Sequence, residues 1–174
     1  MKNKYEIRGD VAAIFCWAKG ERYETFIDME KLFMVNAKPN TWLVNIHRGN
    51  AVSHGQSIEG TRVQTYLHRL VTGAPDGLVV DHIDGNPLMN CNFNLRVVTQ
   101  KENLQNLVQD RTNNTSGFRG VSYAKDRDKW EAYYWTNYYK NLVGYFNTAE
   151  EANEAVTIAR SRHMPYSPDA REAA

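Results

Sequence analysis

Cysteine is almost missing from this sequence: Cys16 and Cys91 are the only two among 174 residues. Two thiols cannot build a disulfide framework or a four-cysteine zinc knot, so no structural zinc is expected. Their scarcity fits a reducing compartment, and a cytoplasmic protein is expected. Long apolar runs are missing as well. No stretch approaches the ~20 residues of a membrane span, and Met1 to Asp10 is too polar for a secretory leader. A charge of one sign is the third absence, since 21 basic residues meet 20 acidic ones for a net charge of +1. Chains that neutralise phosphate usually carry a basic excess. Here the excess is only local: between Arg111 and Lys140, Arg111, Arg119, Lys125, Arg127, Lys129 and Lys140 face Asp126, Asp128 and Glu131. What is present is folded material, 42% hydrophobic and 11% aromatic, long enough for one medium domain or two small ones.

Along the chain, residues 1–60 read as a β-rich N-terminal region. Val11 to Trp17 and Thr41 to Ile46 have strand composition, and Phe26 to Val35 fits strand or helix equally. Gly49 to Gly60 is polar and reads as a hairpin tip or mobile loop. Thr61 to Thr72 has Val63, Tyr66, Leu67, Leu70 and Val71 at helical spacing, with Gly73 as stop signal. Leu78 to Asp81 and Leu95 to Val98 are short strands around the Asn/Gly/Pro-rich loop Ile83 to Asn94. Thr99 and Glu102 form a capping box that opens a helix through about Val108. The polar run Gln109 to Gly117 is the expected boundary, with 110–114 as linker. Strands are expected at Gly120–Tyr123, Lys129–Thr136 and Asn141–Phe146. A second capping box, Thr148 with Glu151, starts a helix with the stripe Ala152, Ala155, Val156 and Ala159.

Chemistry concentrates in Val80-Asp-His-Ile-Asp-Gly-Asn86, Asn94-Leu-Arg96 and Thr99-Gln-Lys-Glu-Asn103. Alone, Asp84-Gly85 is a turn signal with Asx hydrogen bonds. Together, in the order strand, loop, strand and capped helix, these residues closely resemble the HNH nuclease motif over roughly residues 66–106. That family folds as two strands and a helix around one metal. The resemblance implies Asp81 and Asn103 as metal ligands, His82 as general base and Asn94 as the residue that holds the loop. One Mg²⁺ or Mn²⁺ per active site is expected. A neutral imidazole suits water activation near neutral pH, and one carboxylate with one amide oxygen is a sparse, hard donor set. Cys91 stands where relatives often carry Arg. His68 reads as a packing residue, and His47, His54 and His163 as surface residues.

Ser116-Gly-Phe-Arg-Gly-Val-Ser-Tyr123, Lys129-Trp130 and Gly144-Tyr-Phe-Asn-Thr-Ala-Glu-Glu-Ala152 resemble the Apetala-type (ethylene-response-factor) DNA-binding domain, over about residues 115–166. The family lays a three-stranded sheet in the DNA major groove. Strand alternation turns Ala132 and Tyr134 to the helix and Glu131, Tyr133 and Trp135 outward, joined by Arg119, Tyr123, Lys125, Arg127 and Lys140. Trp130 is expected to plug the core between sheet and helix. The family usually places Arg on the middle strand, where this chain has Tyr133 and Trp135.

The expectation is an α+β protein. It comprises the N-terminal region 1–60, a ββα-metal HNH unit at 61–109, and a three-stranded antiparallel sheet on one helix at 115–174. It would cut double-stranded DNA as a monomer or homodimer, in the manner of phage-type homing or other mobile-element endonucleases. The rival reading is a non-catalytic DNA-binding protein that retains the HNH fold.

Overall fold

A computed structural model of the chain describes residues 1–56, 61–106 and 114–173. These divide into two compact units, Met1–Thr99 and Gln100–Ala174. The division falls ahead of the expected boundary at Gln109 to Gly117. The end of the helix expected through Val108 and most of the expected linker lie outside the described residues.

The first unit is built on a seven-stranded sheet. Strands β1 (Tyr5–Arg8), β2 (Val11–Ala18) and β3 (Glu21–Asp28) form an antiparallel meander. The aliphatic run of β2 makes it the central strand: Ala12, Ala13, Ile14 and Cys16 are fully buried. A 3₁₀ turn (Met29–Lys31) and helix α1 (Leu32–Asn36) follow, so the ambiguous stretch Phe26 to Val35 splits between strand and helix. Strand β4 (Trp42–Val44) joins β2 in parallel and pairs with β5 (Ala51–Gln56), which pairs with β6 (Arg62–Tyr66). Trp42, Ile14, Ile27, Val35 and Leu67 anchor the core. Full burial of each such side chain contributes about 1.5–3 kcal/mol.

Two expectations fail here. Gly49 to Gly60 is not a loop throughout, because Ala51 to Gln56 is strand β5; residues 57–60 lie outside the described residues. Thr61 to Thr72 is not one helix: β6 runs to Tyr66 and only α2 (Leu67–Thr72) is helical. The reason is pairing. Ser53, with little apolar character of its own, is buried opposite Thr65 in the β5–β6 ladder, while Val63 from the apparent helical stripe stays exposed. Gly73 does end α2, at φ 62° with its N–H on the Arg69 carbonyl.

Beyond α2 come β7 (Val79–His82), β8 (Met89–Asn90), a 3₁₀ turn (Asn92–Asn94) and β9 (Leu95–Val98). β7 and β9 form a separate antiparallel ribbon, while β8 adds two residues in parallel to β3. The expected loop Ile83 to Asn94 therefore contains a short strand.

The second unit opens with α3 (Gln100–Asn103) and a 3₁₀ turn (Leu104–Asn106). Its sheet is β10 (Val121–Ala124), β11 (Lys129–Thr136) and β12 (Tyr139–Phe146), followed by α4 (Ala149–His163) and α5 (Pro168–Glu172). The capping box at Thr148 and Glu151 is complete. Alanines let α4 lie close to the sheet: Ala149, Ala152 and Val156 pack with Val121 and Ala132, and Trp130 lies against that cluster as expected. Gly120 is required where the chain enters β10. A Cβ there would sit 2.2 Å from the Tyr133 carbonyl oxygen, and its φ is +79°.

Candidate active site

The β7–β9 ribbon pairs Asp81 with Arg96 and His82 with Leu95. Valines at 79, 80, 97 and 98 suit extended backbone. Asn94 closes the connection between the strands. Its Oδ1 accepts from the Asp84 N–H at 3.0 Å, while its Nδ2 donates to Asp84 Oδ1 at 2.8 Å and to the Met89 carbonyl at 2.9 Å. Backbone adds Ile83 N–H to the Asn94 carbonyl at 2.8 Å. Asp84 Oδ1 also accepts from Asn86 N–H at 2.7 Å, so the Asp-Gly turn forms alongside the larger constellation. Asn94 is buried and hydrogen-bonded to three atoms of the loop.

Asp81 and His82 are nearly buried, at 7% and 9% exposure, and have different partners. Arg96 places Nε 2.7 Å and Nη2 2.6 Å from Asp81 Oδ2. His82 Nε2 lies 3.1 Å from Asn90 Oδ1. The His68 ring meets the His82 ring edge-on, with centroids 5.4 Å apart, and stacks on Tyr66. Burial pushes the His68 imidazole down to about 4, helped by the neighbouring His82 and Arg69. Burial also lowers the His82 pKa, opposed by its bond to Asn90 and the carboxylates of Asp84 and Asp81. Near neutral pH His82 therefore carries a basic lone pair, the state a proton acceptor needs.

Asn103 is the last residue of α3, in the second unit. Asp81 and Asn103 are each a hard oxygen donor by residue type, a carboxylate on Asp81 and an amide oxygen on Asn103, of the kind that magnesium-type cations take. Among the described residues no three of His, Cys, Asp and Glu gather as a metal cluster.

On the second unit the register sorts the faces. Ala132 is fully buried and Tyr134 packs on the helix side, stacked on His163. On the other face Lys140 Nζ lies 2.6 Å from Glu131 Oε2 and 4.2 Å from the Tyr133 ring centre. Trp135 is 56% exposed opposite Lys140, and Arg127 covers the Tyr145 ring at 4.5 Å. Lys125 is exposed. Arg119 is half-buried and donates to the Gln105 carbonyl at 3.2 Å.

Tyr123 departs from expectation. It sits directly opposite Trp130 and its ring packs edge-on against that tryptophan, with its hydroxyl on Asp128. Cross-strand partners share a face, so Tyr123 belongs to the helix side of the sheet, and Ser122, opposite Glu131, to the outward face.

The Asp81–Arg96 pair does leave a signal in the sequence, since two antiparallel strands around the loop set those residues face to face. Asn90 and Thr25 left no such signal. Thr25 reaches the site from 63 residues away in sequence, through its bond to the Leu88 carbonyl.

The HNH endonuclease family matches residues 65–105, the span that holds Asp81, His82, Asn94 and Asn103. The chain is 46% identical over 56 residues to Protein 3.8 of Escherichia phage T7, covering 32% of this chain and 46% of that one. It is 40% identical over 75 residues to DNA endonuclease I-HmuI of Bacillus phage SP01, covering 40% and 43%. The SPbeta prophage-derived protein YosQ of Bacillus subtilis (strain 168), named among HNH homing endonucleases, is 40% identical over 72 residues, covering 38% and 40%. The chain thus spans less than half the length of the curated relatives it matches. No solved structure matches it. Residues 65–105 are thus similar to the HNH endonuclease family, and the chain is similar over part of its length to proteins named as phage and prophage endonucleases.

Proposed function

We propose that this chain is a metal-dependent endonuclease that hydrolyses phosphodiester bonds of double-stranded DNA. The observation that carries the reading is the family match over residues 65–105, within which Asp81 and His82 are adjacent, nearly buried and separately partnered. His82 takes a proton from the attacking water as its oxygen bonds to phosphorus, and the P–O3′ bond breaks with the electrons leaving on the 3′ oxygen. Asn94 keeps the Ile83 to Asn94 connection in the shape that aligns the two strands. Asp81 and Asn103 are the residues that would hold a divalent cation. Mg²⁺ or Mn²⁺, when bound, would supply Lewis-acid stabilisation of the developing negative charge.

The sheet of the second unit serves as the DNA anchor. Its three-stranded sheet packed on α4 and its outward Glu131, Tyr133, Trp135, Arg127 and Lys140 support this reading, with Lys125 and Arg119 flanking. Tyr123 is left out because it packs on Trp130. Aromatics in place of arginine favour stacking and sugar contacts over bidentate guanine contacts. One active site per chain implies nicking by a monomer or double-strand cleavage by a homodimer, in a homing or mobile-element setting. The test is nicking of supercoiled plasmid with Mg²⁺, with Mn²⁺ and with chelator. Relaxed circles only when a divalent ion is present support the proposal. Binding without scission under all three conditions leaves a non-catalytic DNA-binding protein.

A further inference from the structure

Four groups form a buried chain that ends on the His82 ring. Thr25 Oγ1 lies 2.8 Å from the Leu88 carbonyl oxygen. A carbonyl only accepts, so the single hydroxyl proton of Thr25 points there. Asn90 Nδ2 lies 2.8 Å from the same Thr25 oxygen and 3.4 Å from the Pro87 carbonyl. With the Thr25 proton committed and the Pro87 oxygen unable to donate, the Asn90 amide must turn its NH₂ toward both. Its Oδ1 therefore faces His82 Nε2, 3.1 Å away. An amide oxygen also only accepts, so the contact is a hydrogen bond only if Nε2 carries the proton.

Thr25 and Asn90 are essentially fully buried, and water cannot easily stand in for a missing partner. A flipped amide would set Oδ1 against the Pro87 carbonyl and leave buried groups unsatisfied, which is costly. Asn90 and Thr25 are also held by backbone: Asn90 pairs with Ile27 in the β8–β3 ladder, and Phe26 N–H donates to the Leu88 carbonyl at 2.9 Å. The direction of each hydrogen bond is thus set at the Leu88 and Pro87 carbonyls and passed outward to the imidazole.

We infer that Thr25 and Asn90 are positioning residues that fix His82 as its Nε2–H tautomer, with the basic lone pair on Nδ1. The inference rests on His82 being the proton acceptor of the proposed nuclease. It adds which nitrogen does that work and which side chains, on β3 and β8, decide it.

The experiment is two-bond ¹H–¹⁵N spectroscopy of the ¹⁵N-labelled full chain at neutral pH without divalent ions, with plasmid nicking measured in parallel. Wild type is expected to show a protonated Nε2 and an unprotonated Nδ1 for His82. Thr25→Val keeps the shape but leaves the Asn90 amide unanchored. Asn90→Leu removes the acceptor. Each is expected to give a mixed tautomer signal and lower kcat about 10- to 100-fold, with KM little changed. Thr25→Ser restores the hydroxyl and should recover both the spectrum and the rate, which a merely structural defect would not do. An Nδ1–H tautomer in the wild type overturns the inference, as does an unchanged tautomer and kcat in folded Thr25→Val protein. The spectra do not depend on cleavage. If His82→Ala still nicks DNA, the base assignment fails, while the tautomer result stands or falls by itself.

Discussion

The two units treat their chemically active side chains in opposite ways. In the first, Asp81, His82, Asn90 and Asn94 are buried and bonded, each orientation dictated by another group. In the second, Tyr133, Trp135, Tyr138, Tyr139 and Lys140 lie on the outward face and the β11–β12 turn, with Tyr138 and Tyr139 exposed at 88% and 75%. Scission requires a proton acceptor held to within fractions of an ångström, and burial with paired hydrogen bonds provides that. Gripping a long polyanion requires accessible area and charge that solvent has not been excluded from. Substitutions in the first unit should therefore change rates or folding, and those on the sheet face should change affinity.

The largest effect should come from His82→Ala, lowering cleavage by a factor of about 10²–10⁴ at nearly unchanged DNA affinity. Asp81→Ala should match it, and chelator should abolish cleavage without unfolding the protein. Single-turnover nicking beside a binding isotherm separates rate from affinity. Near wild-type turnover in the His82→Ala protein would remove the site from its proposed role.

Asn94→Ala should come next, as a stability change. It strands the Asp84 N–H and the Met89 carbonyl in a part-buried loop, a loss of roughly 1–2 kcal/mol. A urea midpoint that stays put in this variant would mean the loop is held by its backbone bonds alone.

On the sheet face, Trp135→Ala should weaken DNA binding about tenfold if the ring stacks on bases or sugars. Lys125→Glu should weaken it uniformly across sequences and flatten the salt dependence. Both should leave the unfolding free energy from urea titration within about 0.5 kcal/mol of wild type, since exposed positions carry little of the fold. Tyr123→Phe should leave DNA affinity unaltered, because that ring serves Trp130. An affinity loss there equal to that of Trp135→Ala would reverse the sorting of faces.

The smallest effect concerns the thiols. Burial raises the Cys16 pKa to about 12 and the Cys91 pKa to about 11, the latter helped by Asp28. A raised thiol pKa means less thiolate, so at pH 8 the native protein should resist alkylation while denatured protein reacts at both positions. Rapid labelling of Cys91 in native protein would show that its side of the first unit opens.

Local chemistry made much of this legible in advance. Strands β9 and β11 match their expected bounds, and the Thr148–Glu151 capping box formed as read, because each is set by neighbours within a few residues. The adjacency of Asp81 and His82, and Asn94 thirteen positions after Asp81, are likewise properties of the chain itself. The strands at Ala51–Gln56 and Arg62–Tyr66 were not legible, since a ladder between two polar segments overrode an apparent helical stripe. The side of the sheet that Tyr123 takes followed from hairpin register, which composition does not report. Thr25 and Asn90 stand 65 residues apart and meet at 2.8 Å only because β8 docks beside β3. Sequence alone determined which residue types were available for the chemistry. The tertiary structure decided which of their hydrogen bonds point where, because a bond's direction is set by all the groups around it, and those groups come from distant parts of the chain.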